Sequence, residues 1–152
     1  MEPTTNAAFF RFEDLRIYHK ALDYSAWVHR ASLNFKETCQ DNVGLRFNEA
    51  ARAISQHIAE GSARNKSQFI YYLKMAKSSV RECLVLTSTV KKFGYLTDRQ
   101  EEESRNFLME LTKMIGALIS SLQRGPGGTR EVDETDDDLE LPHHDLEPDH
   151  RY

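Results

Sequence analysis

Along most of the chain, apolar positions recur at three- and four-residue steps, the period of one face of an α-helix. In the first such stretch, about Phe12 to Leu33, the repeat is Leu15, Tyr18, Leu22, Ser25 and then Val28 or His29. The polar run from Lys36 to Asn42 interrupts it and predicts a loop. A second helix is predicted from about Gly44 to Glu60, with Phe47, Ala50, Ala51, Ile54, His57 and Ile58 sharing a face. Its alanines, Ala50, Ala51, Ala53 and Ala59, permit close approach of another helix, from within the fold or from a second subunit. Gly61 stands where a left-handed residue would close the last turn, and Ser62 to Asn65 then form a tight connection.

The third predicted helix, about Ser67 to Phe93, keeps the rhythm longest, through Phe69, Leu73, Ala76, Val80, Cys83, Thr87 and Val90. Gly94 ends it. Thr97 followed by Gln100 is a capping-box pattern, in which each side chain satisfies the other residue's backbone amide at a helix start. Phe107, Leu108, Leu111, Met114, Ile115, Leu118, Ile119 and Leu122 carry a fourth stripe forward to Gln123. Each stripe covers only part of its helix, so no helix is stable alone, and the short connections favour antiparallel neighbours. The predicted fold is all-α, an antiparallel up-down-up-down four-helix bundle over residues 12–124.

Composition agrees. The chain has 152 residues, room for one ordinary domain, and only 4 Pro and 7 Gly. Three of those glycines, Gly125, Gly127 and Gly128, fall in one break. Beyond that break the composition turns acidic and aperiodic, which predicts disorder. The expected division is a flexible N-terminus over 1–11, the bundle over 12–124 and an acidic disordered tail over 125–152. Residues 1–124 carry 18 Lys and Arg against 14 Asp and Glu, a balance of +4. Residues 125–152 carry 2 against 10, a balance of −8, so the overall charge of −4 describes neither part.

No apolar run approaches the ~18 residues of a membrane-spanning helix, and the first residues lack the basic start and apolar core of a signal peptide. Cys39 and Cys83 make no disulfide framework and fall in no metal-ligand spacing, and Cys83 lies on an apolar stripe. These features point to a reduced, cytoplasmic protein.

Catalytic chemistry finds no foothold: there is no nucleophile elbow, phosphate loop or dinucleotide glycine pattern. His57, at the margin of an apolar face, reads as a packed histidine. His19 and His29 are nearly in phase but about 15 Å apart along their helix, too far to share a metal. Within the predicted bundle Glu-x-x-His pairs of the diiron type are absent, and His143, His144, Asp145 and His150 lie in the tail. No enzyme activity, cofactor or metal is expected.

The third helix does carry one feature beyond packing. At about 100° per residue, Lys74, Lys77, Arg81 and Lys92 fall within about 60° of one another and some 120° from the apolar face. That is a line of cations suited to a phosphate backbone, although a solvated helix face has the same composition. Arg64 and Lys66 in the preceding turn, with Arg46 and Arg52 on the second helix, would extend the patch. Tyr71 offers a ring for stacking on a base, whereas Tyr72 falls on the apolar face.

Four segments bear a family resemblance: Phe12-Glu13-Asp14-Leu15 with Ile17-Tyr18 and Lys20-Ala21; Ile58-Ala59-Glu60-Gly61 followed by Arg64; Ser67-Gln68-Phe69 through Leu73, Ala76 and Ser79; and Phe93-Gly94-Tyr95-Leu96. Over about residues 12–123 the chain resembles the bacterial four-helix-bundle family associated with intervening sequences in large-subunit ribosomal RNA genes. Its architecture is also similar to that of the accessory protein of diversity-generating retroelements, a basic bundle that partners a reverse transcriptase and its RNA. The resemblance implies a homo-oligomer, a pentamer of short bundles, and a role in binding nucleic acid. Family members often carry paired arginines about where this chain has Asn48-Glu49 and a proline near Ser55, and the acidic tail lies outside the family pattern. The expectation is an oligomeric bundle that binds RNA or a ribonucleoprotein through its second and third helices. The alternative is a protein-interaction adaptor, such as a reverse transcriptase accessory subunit, with no RNA contact of its own.

Overall fold

The structure is a computed structural model that describes residues 9–36 and 41–124. A 3₁₀ turn at Arg11–Asp14 leads into four helices, α1 (Arg16–Ser32), α2 (Val43–Ser62), α3 (Lys66–Lys92) and α4 (Asp98–Gln123). Each helix packs on its neighbour in sequence, and α4 closes the ring on α1. The antiparallel up-down-up-down bundle expected from the stripes is the fold. Cys39, the tail histidines, the acidic tail expected over 125–152 and residues 1–8 of the N-terminus expected to be flexible over 1–11 lie outside the described residues.

α2, α3 and α4 bury the predicted faces. Phe47, Ala51, Ile54 and Ile58 meet Leu73, Ala76, Val80, Cys83 and Val90, and Leu108, Leu111, Ile115 and Ile119 complete the centre. α1 differs from expectation in two ways. It begins at Arg16, because extended Leu15 separates it from the 3₁₀ turn. Its buried row is Ile17, Ala21, Tyr24, Val28 and Ala31, with Trp27 beside it, while Leu22 of the predicted stripe is 40% exposed. The two candidate rows run side by side, and the true one contains alanine and tyrosine, which mark a core weakly.

Gly61 also departs from expectation. α2 continues through it to Ser62, and Gly94 is the one described residue with positive φ. Gly61 is buried where α2 crosses α3: an added Cβ would meet the Cβ of Tyr72 at 2.6 Å and Cδ1 of Phe69 at 3.0 Å. Here the missing side chain sets an interhelix distance and closes no turn.

The helix ends follow local rules. The Asn65 side chain accepts from the Gln68 amide at 2.9 Å to open α3. At its other end Gly94, at φ 84°, lets the Tyr95 amide reach the Val90 carbonyl (2.9 Å) and its own amide reach that of Lys91 (3.0 Å), a Schellman closure. Three residues on, the Gln100 amide donates to Thr97 Oγ1 (3.0 Å) and the Thr97 amide to Gln100 Oε1 (2.9 Å), so the predicted capping box is present.

A line of polar groups crosses the core. Thr87 Oγ1 donates to the Cys83 carbonyl (2.8 Å), so its lone pair must accept from Ser104 Oγ (2.8 Å), which in turn accepts from the Tyr24 hydroxyl (2.8 Å). α1, α4 and α3 are thus joined by one directed chain of hydrogen bonds. Burial pushes the Tyr24 phenol upward and the Cys83 thiol to about 12, and Glu82 adds to the latter.

Candidate nucleic-acid interface

Side-chain contacts fix which side of α3 faces which neighbour. Tyr72 packs against Gly61 and stands 6.2 Å from the His57 ring, so its side faces α2. Thr87 and Ser88 meet Ser104 and Arg105, so theirs faces α4; Arg105 Nη2 donates to Ser88 Oγ at 3.2 Å. At about 100° per residue, Lys66, Lys74, Lys77, Arg81 and Lys92 all lie within about 40° of Ser88, while Tyr72 lies about 160° away. The cationic line therefore runs on the α4 side of α3, over about 39 Å of helix.

The nine sequence-predicted residues divide accordingly. Lys74 and Lys77 are half-buried on this line, and Lys66, Arg81 and Lys92 are exposed on it. Tyr71 is 57% exposed but sits about 100° round the helix, edge-on to Tyr72 at 5.4 Å. Arg64, in the α2–α3 turn, forms an ion pair with Glu60 and lies over the Tyr72 ring at 5.3 Å. Its guanidinium pKa is raised by the Glu60 hydrogen bond, so it already has an anionic partner.

Arg46 and Arg52 are exposed on α2 but do not join the line. Arg46 is about 20° from His57, toward the Tyr72 side of α3, and Arg52 is about 40° from Asn48, toward α1. Asn48 itself donates to Ser32 Oγ (2.9 Å) and to the Gly44 carbonyl (2.8 Å), so the place of one family arginine is turned to α1. His57 is only half-buried, and its pKa is lowered by desolvation.

Arg105 was missed by sequence reasoning. Its guanidinium uses Nε toward Glu101 Oε2 (3.3 Å) and Nη2 toward Ser88, leaving three N–H donors. Lys91, one residue from Lys92, is engaged elsewhere: it pairs with Asp98 at 3.0 Å, which raises its pKa. Among the described residues no group of three or more His, Cys, Asp or Glu is arranged to hold a metal ion, and no helix is long and apolar enough to cross a membrane.

No curated protein matches this chain. The family model described as 23S rRNA-intervening sequence protein matches residues 13–117, from the 3₁₀ turn through most of α4, and so covers all four helices. Its fold and this match together show that the chain belongs to the 23S rRNA-intervening sequence protein family.

Proposed function

We infer that this protein is a non-enzymatic RNA-binding bundle, which takes RNA or a ribonucleoprotein on the α4-facing side of α3. The observation that carries the reading is the alignment of Lys66, Lys74, Lys77, Arg81 and Lys92 on one line of one helix. Cations spaced along a rigid rod neutralise successive phosphates and release counterions, which gives sequence-tolerant, salt-dependent affinity. The family, tied by its description to 23S ribosomal RNA, supports RNA as the polyanion. The direct test is fluorescence anisotropy of a labelled ribosomal RNA fragment with the wild type and with the triple variant Lys74→Glu, Lys77→Glu, Arg81→Glu. Loss of binding in the variant and a steep negative salt slope in the wild type are expected; equal affinity for both proteins, or a flat slope, overturns the reading.

The adaptor reading has its own observation. A groove of about 510 Å³ between α1 and α4 is lined by Phe107 and half-exposed Met109, with Lys20 and Glu110 paired across it at 2.6 Å. Such a mixed lining, two apolar side chains among charged and polar ones, suits a protein partner, a reverse transcriptase being one instance. Homo-oligomerisation belongs to the same proposal: Leu33 and Leu45, 67% and 49% exposed, lie at one end of the bundle with Phe93. Capture of a partner from nuclease-treated lysate supports the adaptor, and light scattering reads the subunit number, five being expected.

A further inference from the structure

Where the cationic line ends, the α3–α4 seam forms a depression of about 370 Å³, lined by Leu84, Val85, Ser88, Thr89, Lys92 and Arg105. That is within the range of ligand clefts, about 300–1,000 Å³. We propose that this depression is a phosphate-binding site that seats one nucleotide unit, with Arg105, Lys92 and Ser88 on the phosphate and Val85 and Leu84 against its sugar or base. The proposal rests on the RNA-binding reading and adds to it a specific anchor and a second helix.

The donors suit this task. Arg105 has three N–H groups left after Glu101 and Ser88, and Lys92 brings three more from the last turn of α3. Ser88 Oγ accepts from Arg105, which leaves its own proton to donate. Thr89 cannot help in the same way, because its hydroxyl donates to the Val85 carbonyl at 2.8 Å. A phosphodiester presents two non-bridging oxygens, and a planar guanidinium meets such a pair with two parallel bonds.

Glu101 is the one acid in direct contact. It takes Arg105 through Nε, and the ion pair is loose enough at 3.3 Å to leave the positive charge in play. The apolar part is as telling. Val85 is 65% exposed beside these cations, and a bare inorganic anion has no use for it. A sugar or base does, which favours a nucleotide over free phosphate as the source of the group.

The test titrates the ¹⁵N-labelled full chain with inorganic phosphate in one arm and a ten-nucleotide single-stranded oligouridylate in the other. The oligonucleotide is expected to shift the amides of Ser88, Thr89 and Lys92 and the Arg105 Nε–H at concentrations where inorganic phosphate does not. Arg105→Gln and Lys92→Gln should each weaken oligonucleotide binding about three- to tenfold and cut the log–log salt slope by about 0.7. Ser88→Ala, with the cations kept, should weaken it less, and Arg52→Gln on α2 not at all. Equal response to both ligands assigns the site to free phosphate and overturns the nucleotide. If the triple α3 variant abolishes binding while Arg105→Gln and Lys92→Gln leave it intact, the site falls and the RNA-binding reading stands. If wild-type protein binds neither ligand but still binds the ribosomal RNA fragment, the site falls and the RNA-binding reading stands; if it binds none of the three, both fall.

Discussion

A Cβ added to Gly61 would stand 2.6 Å from the Cβ of Tyr72, so α2 and α3 approach as closely there as a glycine allows. Because Tyr72 Cβ is anchored to its own backbone, the clash cannot be relieved by rotating a side chain. Gly61→Ala should lower stability by about 1–3 kcal/mol despite the better helix propensity of alanine. Gly94→Ala, at φ 84°, should lower it by about 1–2 kcal/mol through left-handed strain. Gly116→Ala, in α4 with nothing within 4 Å of its Cβ, should raise it by about 0.5–1 kcal/mol. Urea midpoints of the three variants measure this; a stabilised Gly61→Ala would refute the close approach.

The direction of the buried hydrogen bonds predicts an order of mutational costs. Tyr24→Phe removes the first donor and leaves Ser104 still bonded to Thr87, at a cost of about 1 kcal/mol. Ser104→Ala strands the Tyr24 hydroxyl in the core and should cost about 1–3 kcal/mol. Adding Tyr24→Phe to Ser104→Ala should then recover part of the loss. Chemical denaturation of this cycle checks the sign; a double variant at the sum of the singles would show that the groups do not depend on each other.

Alkaline pH should unfold the protein through Cys83. Its thiol is raised by burial from an ordinary value of 9.0 to about 12, so the folded state keeps a proton that the unfolded state releases. The stability this brings is complete below about pH 9 and is lost as pH rises toward 12, by up to ~1.4 kcal/mol per pH unit. Tyr24, raised by the same burial, steepens the loss above its ordinary value of 10.0. Cys83→Ala should flatten the decline between pH 9 and 10, as measured by urea midpoints across pH. On the acid side the lowered His57 acts oppositely: its contribution is present above about pH 6.5 and fades as the ring protonates.

Removing residues 125–152 changes the formal charge from −4 to +4. The truncated chain should bind the RNA fragment more tightly at 50 mM salt, with the difference closing by 300 mM as screening shortens the reach of the deleted charge. Paired anisotropy titrations decide this, and identical curves at low salt would show that the acidic segment has no bearing on the interface.

What could be read in advance followed how local each signal is. Thr97 and Gln100 sit three residues apart and Gly94 acts within its own turn, so the α3–α4 reversal was legible from residue types alone. Gly61 was not, because its constraint comes from Tyr72 on another helix. The buried row of α1 was obscured by alanines and by Tyr24, whose hydroxyl gains its place in the core only from Ser104. For the interface, the phase of Lys74, Lys77, Arg81 and Lys92 was plain from spacing. Which neighbour that phase faced was not, so α2 was paired with the line and Arg105 was passed over, since only its bond to Ser88 brings it there.

The directed line from Tyr24 to the Cys83 carbonyl also acts as an address. Apolar stripes are forgiving: alanine and leucine rows make acceptable contacts when one helix slides a turn along another. The hydroxyl of Tyr24 finds Ser104 in only one setting, and Ser104 finds Thr87 in only one, so a slip of about 5.4 Å leaves the Tyr24 and Ser104 hydroxyls stranded together. The bundle is therefore singular in its alignment, and the cations of α3 and Arg105 of α4 keep a constant stagger in every molecule.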